Sequence, residues 1–463
     1  MHPKPSGPDA VSDSVPNPVP AGPAPDAASD GVAPGLREVY EDLHAHPELA
    51  FQEERTAGVV VEWLAGHGWE VTGGVGRTGV VGVLRNGAGP VVLLRADMDG
   101  LPVREATGLS YASTATGVGE DGSRVPVMHA CGHDMHVACL LGACQELAGS
   151  RERWAGTVVA VFQPAEESGL GASAMVDDGL FERFPRPDVV LGQHVGPGPA
   201  GMLATVPGVA MGAADSVVVR LFGRGGHGSK PESAVDPVVM AAHLVTRLQT
   251  VVSRVVAAQE QAVVTVGSIR AGTAAGIIPD EAELALSIRT FDENVRERVM
   301  AAIGRMARAE ALAAGAEREP DITSRYRLPA TVNDLAATER VAEAHRGEFG
   351  AGQVVQLGPN TASEDFGVLG AAAGVPSVYW FFGGSDAKEF ETALLAGRLA
   401  EDVPQNHSPA FAPVVEPTLS TGVRALTAAA LAWLAQGDDP SAPDSDTDAV
   451  AASDGWVGVA ASR

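Results

Sequence analysis

Apolar and polar positions follow two rhythms along this chain. LREVYEDLHAHPELA (36–50) and EERTAGVVVEWLAGHG (53–68) keep the helical period, and the second stops at Gly66-His67-Gly68. TGVVGVLRN and GPVVLLRADM are short apolar runs that predict strands. DMHVACLLGACQELAG predicts a helix, TVVAVFQPAEE a buried strand that turns at Pro164, and DVVLGQHV another strand. This alternation predicts an α/β sheet with helices on its faces.

The pattern changes near residue 213. SVVVRLFGRG predicts a strand, DPVVMAAHLVTRLQTVVS a helix, then QAVVTVGSIRAG and EAELALSIRT two strands parted at Pro279-Asp280. NVRERVMAAIGRMARAEALAAG predicts a helix and DITSRYR a last strand. The order βαββαβ is that of the ferredoxin-like unit. The expected organisation is therefore a catalytic domain in two parts, 35–212 and 330–437, with a lid domain inserted at 213–329. The second part opens with a helix near 333–348 and closes with PTLSTGVRALTAAALAWLAQ. Residues 1–34 and 438–463 are rich in Pro, Ala, Ser, Asp and Gly. They cannot bury enough apolar surface to offset their ordering entropy, so both tails are expected to be disordered.

Composition narrows the classes. The chain has 463 residues, 45% of them apolar, and 32 basic against 58 acidic side chains give a formal charge of −26. Such a chain has no electrostatic footprint for nucleic acid or for an anionic membrane. Its three cysteines, Cys131, Cys139 and Cys144, fall within fourteen residues, so no disulfide framework is expected. Cys139 and Cys144 lie on an apolar helical stretch and read as small core residues. No apolar run approaches the roughly 18 residues of a membrane span. No signal-peptide pattern opens the sequence, and a reducing cytoplasm is the expected compartment.

The octet HACGHDMH, 129–136, concentrates three histidines, a cysteine and an aspartate. Cys131 and His133 flank one glycine, which lets both side chains converge on one ion. Thiolate and imidazole suit zinc and similar divalent metals. The plain alternative is a polar loop with Asp134 capping a helix. A structural zinc knuckle lacks its second cysteine pair, and a Cys–His nucleophile lacks an oxyanion motif. QPAEESG places Glu166 and Glu167 side by side. A cation would neutralise one and leave the other as a general base, although acidic turns are also common without function. His194 closes an apolar strand in LGQHVG, and His407 sits in the loop PQNHSPAF; each alone reads as an ordinary histidine. Together, Cys131, His133, Glu167, His194 and His407 make five donors, too many for one tetrahedral zinc, and suggest two metals. Asp97 and Asp99 in LLRADMDGLPV are candidates to orient ligand imidazoles or simply turn residues. His227, among glycines in FGRGGHGSKP, could face a developing oxyanion. Arg289 in ALSIRTFDE could clamp a substrate carboxylate or form an exposed ion pair.

From about Leu36 to Gln436 these motifs resemble the M20 metallopeptidase family. The likeness is greatest to its aminoacylase/amidohydrolase branch of hippurate, N-acyl-amino-acid and auxin-conjugate hydrolases. It is carried by LHAHPELAFQEERTA, LLRADMDGLPV, MHACGHDMH, FQPAEE, GRGGHGSKP, IIPD, SEDF and NHSPAF. The resemblance implies a binuclear centre of Mn2+, Zn2+ or Co2+ on Cys131, His133, Glu167, His194 and His407, with Glu166 as general base. It implies a lid whose His227 meets the site of the same or a partner subunit, and a homodimer or higher homo-oligomer. It implies cleavage of N-acyl amino acids or similar amide conjugates. A dipeptidase, a deacylase of a biosynthetic intermediate, or an idle small-molecule binder on the same scaffold are the alternatives. The chain departs from the family at Gly276, in GTAAGIIP, where relatives usually carry an asparagine. One lost hydrogen bond to a charged group is worth roughly 1.5–3 kcal/mol, which bears on substrate class rather than on the metal site.

Overall fold

A computed structural model describes residues 35–119 and 121–434. The two tails expected to be disordered, 1–34 and 438–463, lie outside the described residues. The main sheet has eight strands in the order Glu70–Val75, Gly79–Asn86, Gly156–Gln163, Val91–Asp97, Val189–Pro199, Ser377–Ser385, Leu203–Thr205 and Val354–Gln356. Its centre is parallel: Val91–Asp97 runs with Gly156–Gln163 and Val189–Pro199, and Ser377–Ser385 runs with Val189–Pro199. A hairpin, Glu70–Val75 with Gly79–Asn86, adds an antiparallel edge.

Both faces of this sheet are covered, which explains why its central strands are apolar without alternation. In Gly156–Gln163, Val158, Ala160 and Phe162 enter one core and Val159 and Val161 the other. The first core takes in the helices Leu36–Ala45, Glu54–Gly66, His133–Gly149 and Val415–Trp433. Helix His133–Gly149 is apolar nearly all round because it is packed between neighbours, among them Leu36–Ala45 and Val415–Trp433. The helix expected over 36–50 ends at Ala45 instead. Pro47 disfavours the α conformation at the preceding residue and ends the run.

The second sheet is antiparallel, with strands in the order Ala262–Ala271, Glu281–Thr290, Ala213–Phe222 and Asp321–Leu328. In chain order this is second, third, first, fourth, the ferredoxin-like arrangement. Helices Pro237–Thr250 and Glu293–Ala313 cover one face, over Val217, Val219, Leu284, Leu286 and Ile288. Asp236 and Asp292 cap them, accepting from the amides of Val238 and Val295. Along Glu281–Thr290 every second residue is buried under the helices. The alternation puts Arg289, between Ile288 and Thr290, on the opposite face. The fold is thus α/β, with a large mixed sheet and a separate ferredoxin-like sheet inserted in the chain.

Candidate metal centre

Two parallel strands end at one end of the main sheet, where such folds collect ligands, and a third passes through it; His194 does not close that strand, which runs on to Pro199. Val91–Asp97 ends on Asp97 and leads to Asp99; Gly156–Gln163 leads through Pro164 to Glu166 and Glu167; Val189–Pro199 carries His194. Cys131 and His133 arrive from the turn before helix His133–Gly149. Gly132 has φ 81°, and a Cβ there would lie 2.4 Å from Val195 Cγ1, so only glycine makes this turn. His407 comes from a loop pinned by its own amide, which donates to the Ala130 carbonyl at 2.7 Å.

These side chains converge. Ligand atoms of Cys131, His133 and His194 lie within 4.8 Å of one another, as do those of Cys131, Glu167 and His407, and those of His133, Glu166 and Glu167. Cys131 Sγ is 3.5 Å from His194 Nε2, and His407 Nε2 is 3.3 Å from Glu167 Oε1. Both ring nitrogens of His133 and Oε1 of Glu167 are buried without a hydrogen-bond partner. Buried polar atoms are rarely left so, and donors of this kind gathered around one point fit divalent cations. His133 Nδ1 lies 3.3 Å from Asp99 Oδ1, and its Nε2 lies 3.6 Å from Asp97 Oδ2.

Of the octet's other histidines, His129 is also buried with both ring nitrogens unpartnered, but it belongs to none of the converging donor groups. His136 Nδ1 bonds Asp97 at 2.5 Å while its Nε2 accepts from the Val195 amide at 2.8 Å, which leaves no lone pair for a metal. Asp134 bonds the buried His44 at 2.6 Å, and His44 also bonds Glu105 at 3.0 Å. Asp134 is therefore no ordinary helix cap.

A cavity of about 670 Å³ joins this cluster to the second sheet; its lining includes Cys131, Glu166, Glu167, His194 and His407 from the cluster and Arg289 from that sheet. Arg289 Nη1 donates to Ser363 Oγ at 2.5 Å. His227 does not line the cavity. It is exposed on the short strand Gly226–His227, paired with Ile277–Ile278, and its Nδ1 accepts from the hydroxyl and amide of Ser229. Gly276 stands beside it, its carbonyl accepting from the Gly228 amide at 2.8 Å.

Residues 93–394, more than half the chain, match the description Peptidase family M20/M25/M40. The chain belongs to peptidase family M20. It is 39% identical over 335 residues to the hippurate hydrolase of Campylobacter jejuni, covering 72% of this chain and 84% of that one. It is 39% identical over 280 residues to the N-acyl-L-amino acid amidohydrolase of Geobacillus stearothermophilus, covering 60% and 72% respectively. Its fold is similar to that of the Bacillus subtilis YxeP protein, described as a dinuclear metal-binding peptidase from the M20 family. That match has TM-score 0.69 and 28% identity, covering 86% of this chain and 97% of that one. This M20 protein is accordingly a metal-dependent hydrolase acting on amides.

The electrostatics of the M20 centre separate its paired glutamates. Burial pushes Glu166 well above the carboxylate range, and the charges of Glu364 and Glu167 add to it. Burial opposes ionisation of Glu167 too, but His407 and His133 hold it below the ordinary value. Burial also raises the Cys131 thiol, so metal uptake there would release a proton.

Sequence reasoning missed the buried charges behind the pair. Arg95 is fully buried and donates to Gln163 at 2.9 Å, Asp97 at 2.7 Å, Glu364 at 2.8 Å and Asp365 at 3.0 Å. Tyr379 donates to the other Glu364 oxygen at 2.6 Å. The available signal was Arg95 itself: a guanidinium inside the apolar run VVLLRA demands buried carboxylates. Among the described residues, no helix is long and apolar enough to cross a membrane.

Proposed function

We propose that this M20 hydrolase cleaves the amide bond of N-acyl amino acids with a sizeable apolar acyl group. The observation that carries this reading is the shared cavity. Its lining includes Cys131, Glu166, Glu167, His194 and His407 from the cluster, Arg289 from the inserted sheet, and the apolar Met202, Leu203, Leu357, Phe381 and Phe390. An apolar acyl chain suits the walls, and a planar guanidinium suits the carboxylate of an amino acid. The substrates named for the hippurate and N-acyl-amino-acid relatives agree with it.

Cys131, His133, Glu167, His194 and His407 would hold two divalent cations, manganese, zinc or cobalt by donor chemistry. When bound, these would supply Lewis acidity toward the attacking water and the amide carbonyl. Glu166 takes the proton from that water and returns it to the leaving nitrogen. Its raised proton affinity fits the return of the proton, and the charge of bound cations would offset it for the first step. Asp99 accepts the amides of Glu166 and Glu167 at 3.0 Å each and lies 3.3 Å from His133 Nδ1, so one carboxylate orients the paired glutamates beside that ring. His227 donates to the developing oxyanion; being exposed in the single chain, it would reach a site by lid closure or from a second subunit of a homodimer. The lid comprises 213–329.

Glu166→Ala tests the reading. The variant keeps its metal while kcat on N-benzoylglycine falls by about 10²–10⁴. Near-normal turnover would remove Glu166 as the base. Chelation should abolish activity and added Mn2+, Zn2+ or Co2+ restore it. A metal-loaded protein that cleaves no member of an N-acyl amino acid panel would be a binder instead.

A further inference from the structure

Four non-glycine residues adopt positive φ among the described residues: Phe51 at 60°, Arg77 at 85°, Ala165 at 52° and His407 at 70°. This region is costly for any residue with a Cβ. Three of the four gather at one side chain outside the metal cluster. Glu53, fully buried at the start of helix Glu54–Gly66, accepts with Oε1 from the Phe51 amide at 3.0 Å and from the Ala165 amide at 2.8 Å. Its Oε2 accepts from the hydroxyl of Thr78, next to Arg77, at 2.5 Å. The Arg77 guanidinium lies over the Phe51 ring, 4.0 Å from its centre.

Ala165 immediately precedes the paired glutamates. Three successive amides, of Ala165, Glu166 and Glu167, thus point at two buried carboxylates, Glu53 for the first and Asp99 for the other two. The elbow has no slack on its far side: a Cβ on Gly171 would lie 1.6 Å from the Pro164 oxygen. A left-handed residue persists where its surroundings over-determine it, and charge-assisted bonds to amides are among the stronger means. We propose that Glu53 is a positioning residue of the hydrolytic centre, its carboxylate holding the strained Ala165 elbow that presents Glu166 and Glu167 to the cavity. The proposal rests on the roles given to Glu166 and Glu167 above.

The test uses the full-length chain, N-benzoylglycine as substrate, and calorimetric titration of Mn2+ into the metal-stripped protein. Glu53→Gln keeps the side chain's size and turns one acceptor into a donor. Its expected result is a kcat lower by about tenfold or more, with KM within about threefold and Mn2+ affinity weaker by about tenfold. Thr78→Val removes the bond to the other oxygen and spares both amides; kcat stays within about threefold even where the melting temperature falls. In the double variant E53Q/A165G the glycine takes the left-handed conformation without steric cost. It recovers at least about threefold of the lost kcat, and folds if E53Q alone does not. Three results would overturn the proposal. These are E53Q with kcat and Mn2+ affinity near normal, E53Q and T78V losing kcat in step with melting temperature, or a double variant as impaired as E53Q. If the native chain leaves N-benzoylglycine intact, the substrate reading fails and the Mn2+ affinities still decide the role of Glu53. Normal turnover by Glu166→Ala would defeat the base assignment alone.

Discussion

On the main sheet Arg95 is sealed from solvent among Asp97, Glu364, Asp365 and Gln163, while on the inserted sheet Arg220 meets Glu283 with half its side chain in water. Both are arginines on strands, and both bond carboxylates. The difference is what surrounds them. In the main sheet the low-dielectric interior fixes each charge, so the network can hold Asp97 and Glu364 near Glu166 without rearrangement. On the inserted sheet water screens the pair and leaves it free to exchange partners. Arg289 lies between these limits. It stands on the inserted sheet's open face but reaches across to Ser363, beside the buried Glu364. A preorganised network with a more adjustable arginine beside it is a workable arrangement for binding a carboxylate before the chemistry begins.

Arg95→Met should break this comparison most visibly. Three carboxylates lose their common partner inside the core, and stability falls by about 3–5 kcal/mol in urea unfolding. A loss similar to that of Arg220→Ala would show that water reaches the network. Two buried histidines come next, through pH. Burial, offset in part by its bond to the Ala425 carbonyl, lowers His345 to about 4. Its folded value lies below the unfolded 6.5, so its contribution is present above 6.5 and fades as pH falls toward 4, by roughly 3 kcal/mol. Burial would lower His44 as well, but Asp134 and Glu105 raise it to about 10. Its contribution is complete below 6.5 and disappears as pH rises through 10. His345→Leu should flatten the acid limb of a stability–pH curve and His44→Gln the alkaline limb; unchanged limbs would contradict both assignments. The smallest effect belongs to Arg220→Ala, whose melting temperature should match the native chain's within error.

The strands that reach the site were legible because apolar runs leading into DMD, QPAEE and QHV announce buried strands with chemistry beside them, although the last runs on past His194 to Pro199. His133 was legible as the partner of Cys131 across one glycine, but what occupies His136 was not. The left-handed turn at Gly132 sets Cys131 beside His133, and the bonds of His136 to Asp97 and to the Val195 amide, both distant in sequence, take its ring out of contention. Strand Ser377–Ser385 escaped notice although SVYWFFGGS is an apolar, aromatic run of the same kind as VVLLRAD and carried the same signal. Glu53 and Glu48 lie five residues apart in one loop, yet Glu48 accepts the amides of Arg55 and Thr56 while Glu53 turns inward to Ala165. Local sequence carries no sign of that long-range partner. The position of His227 depends on lid geometry or a second chain, which periodicity within one chain does not encode.

Metal stoichiometry tests the central claim most directly. Calorimetric titration of the metal-stripped chain with Zn2+ or Mn2+ should give two equivalents, falling to one or none in His133→Ala. A native chain that binds neither ion, or a His133→Ala variant that binds both as tightly, would contradict the account.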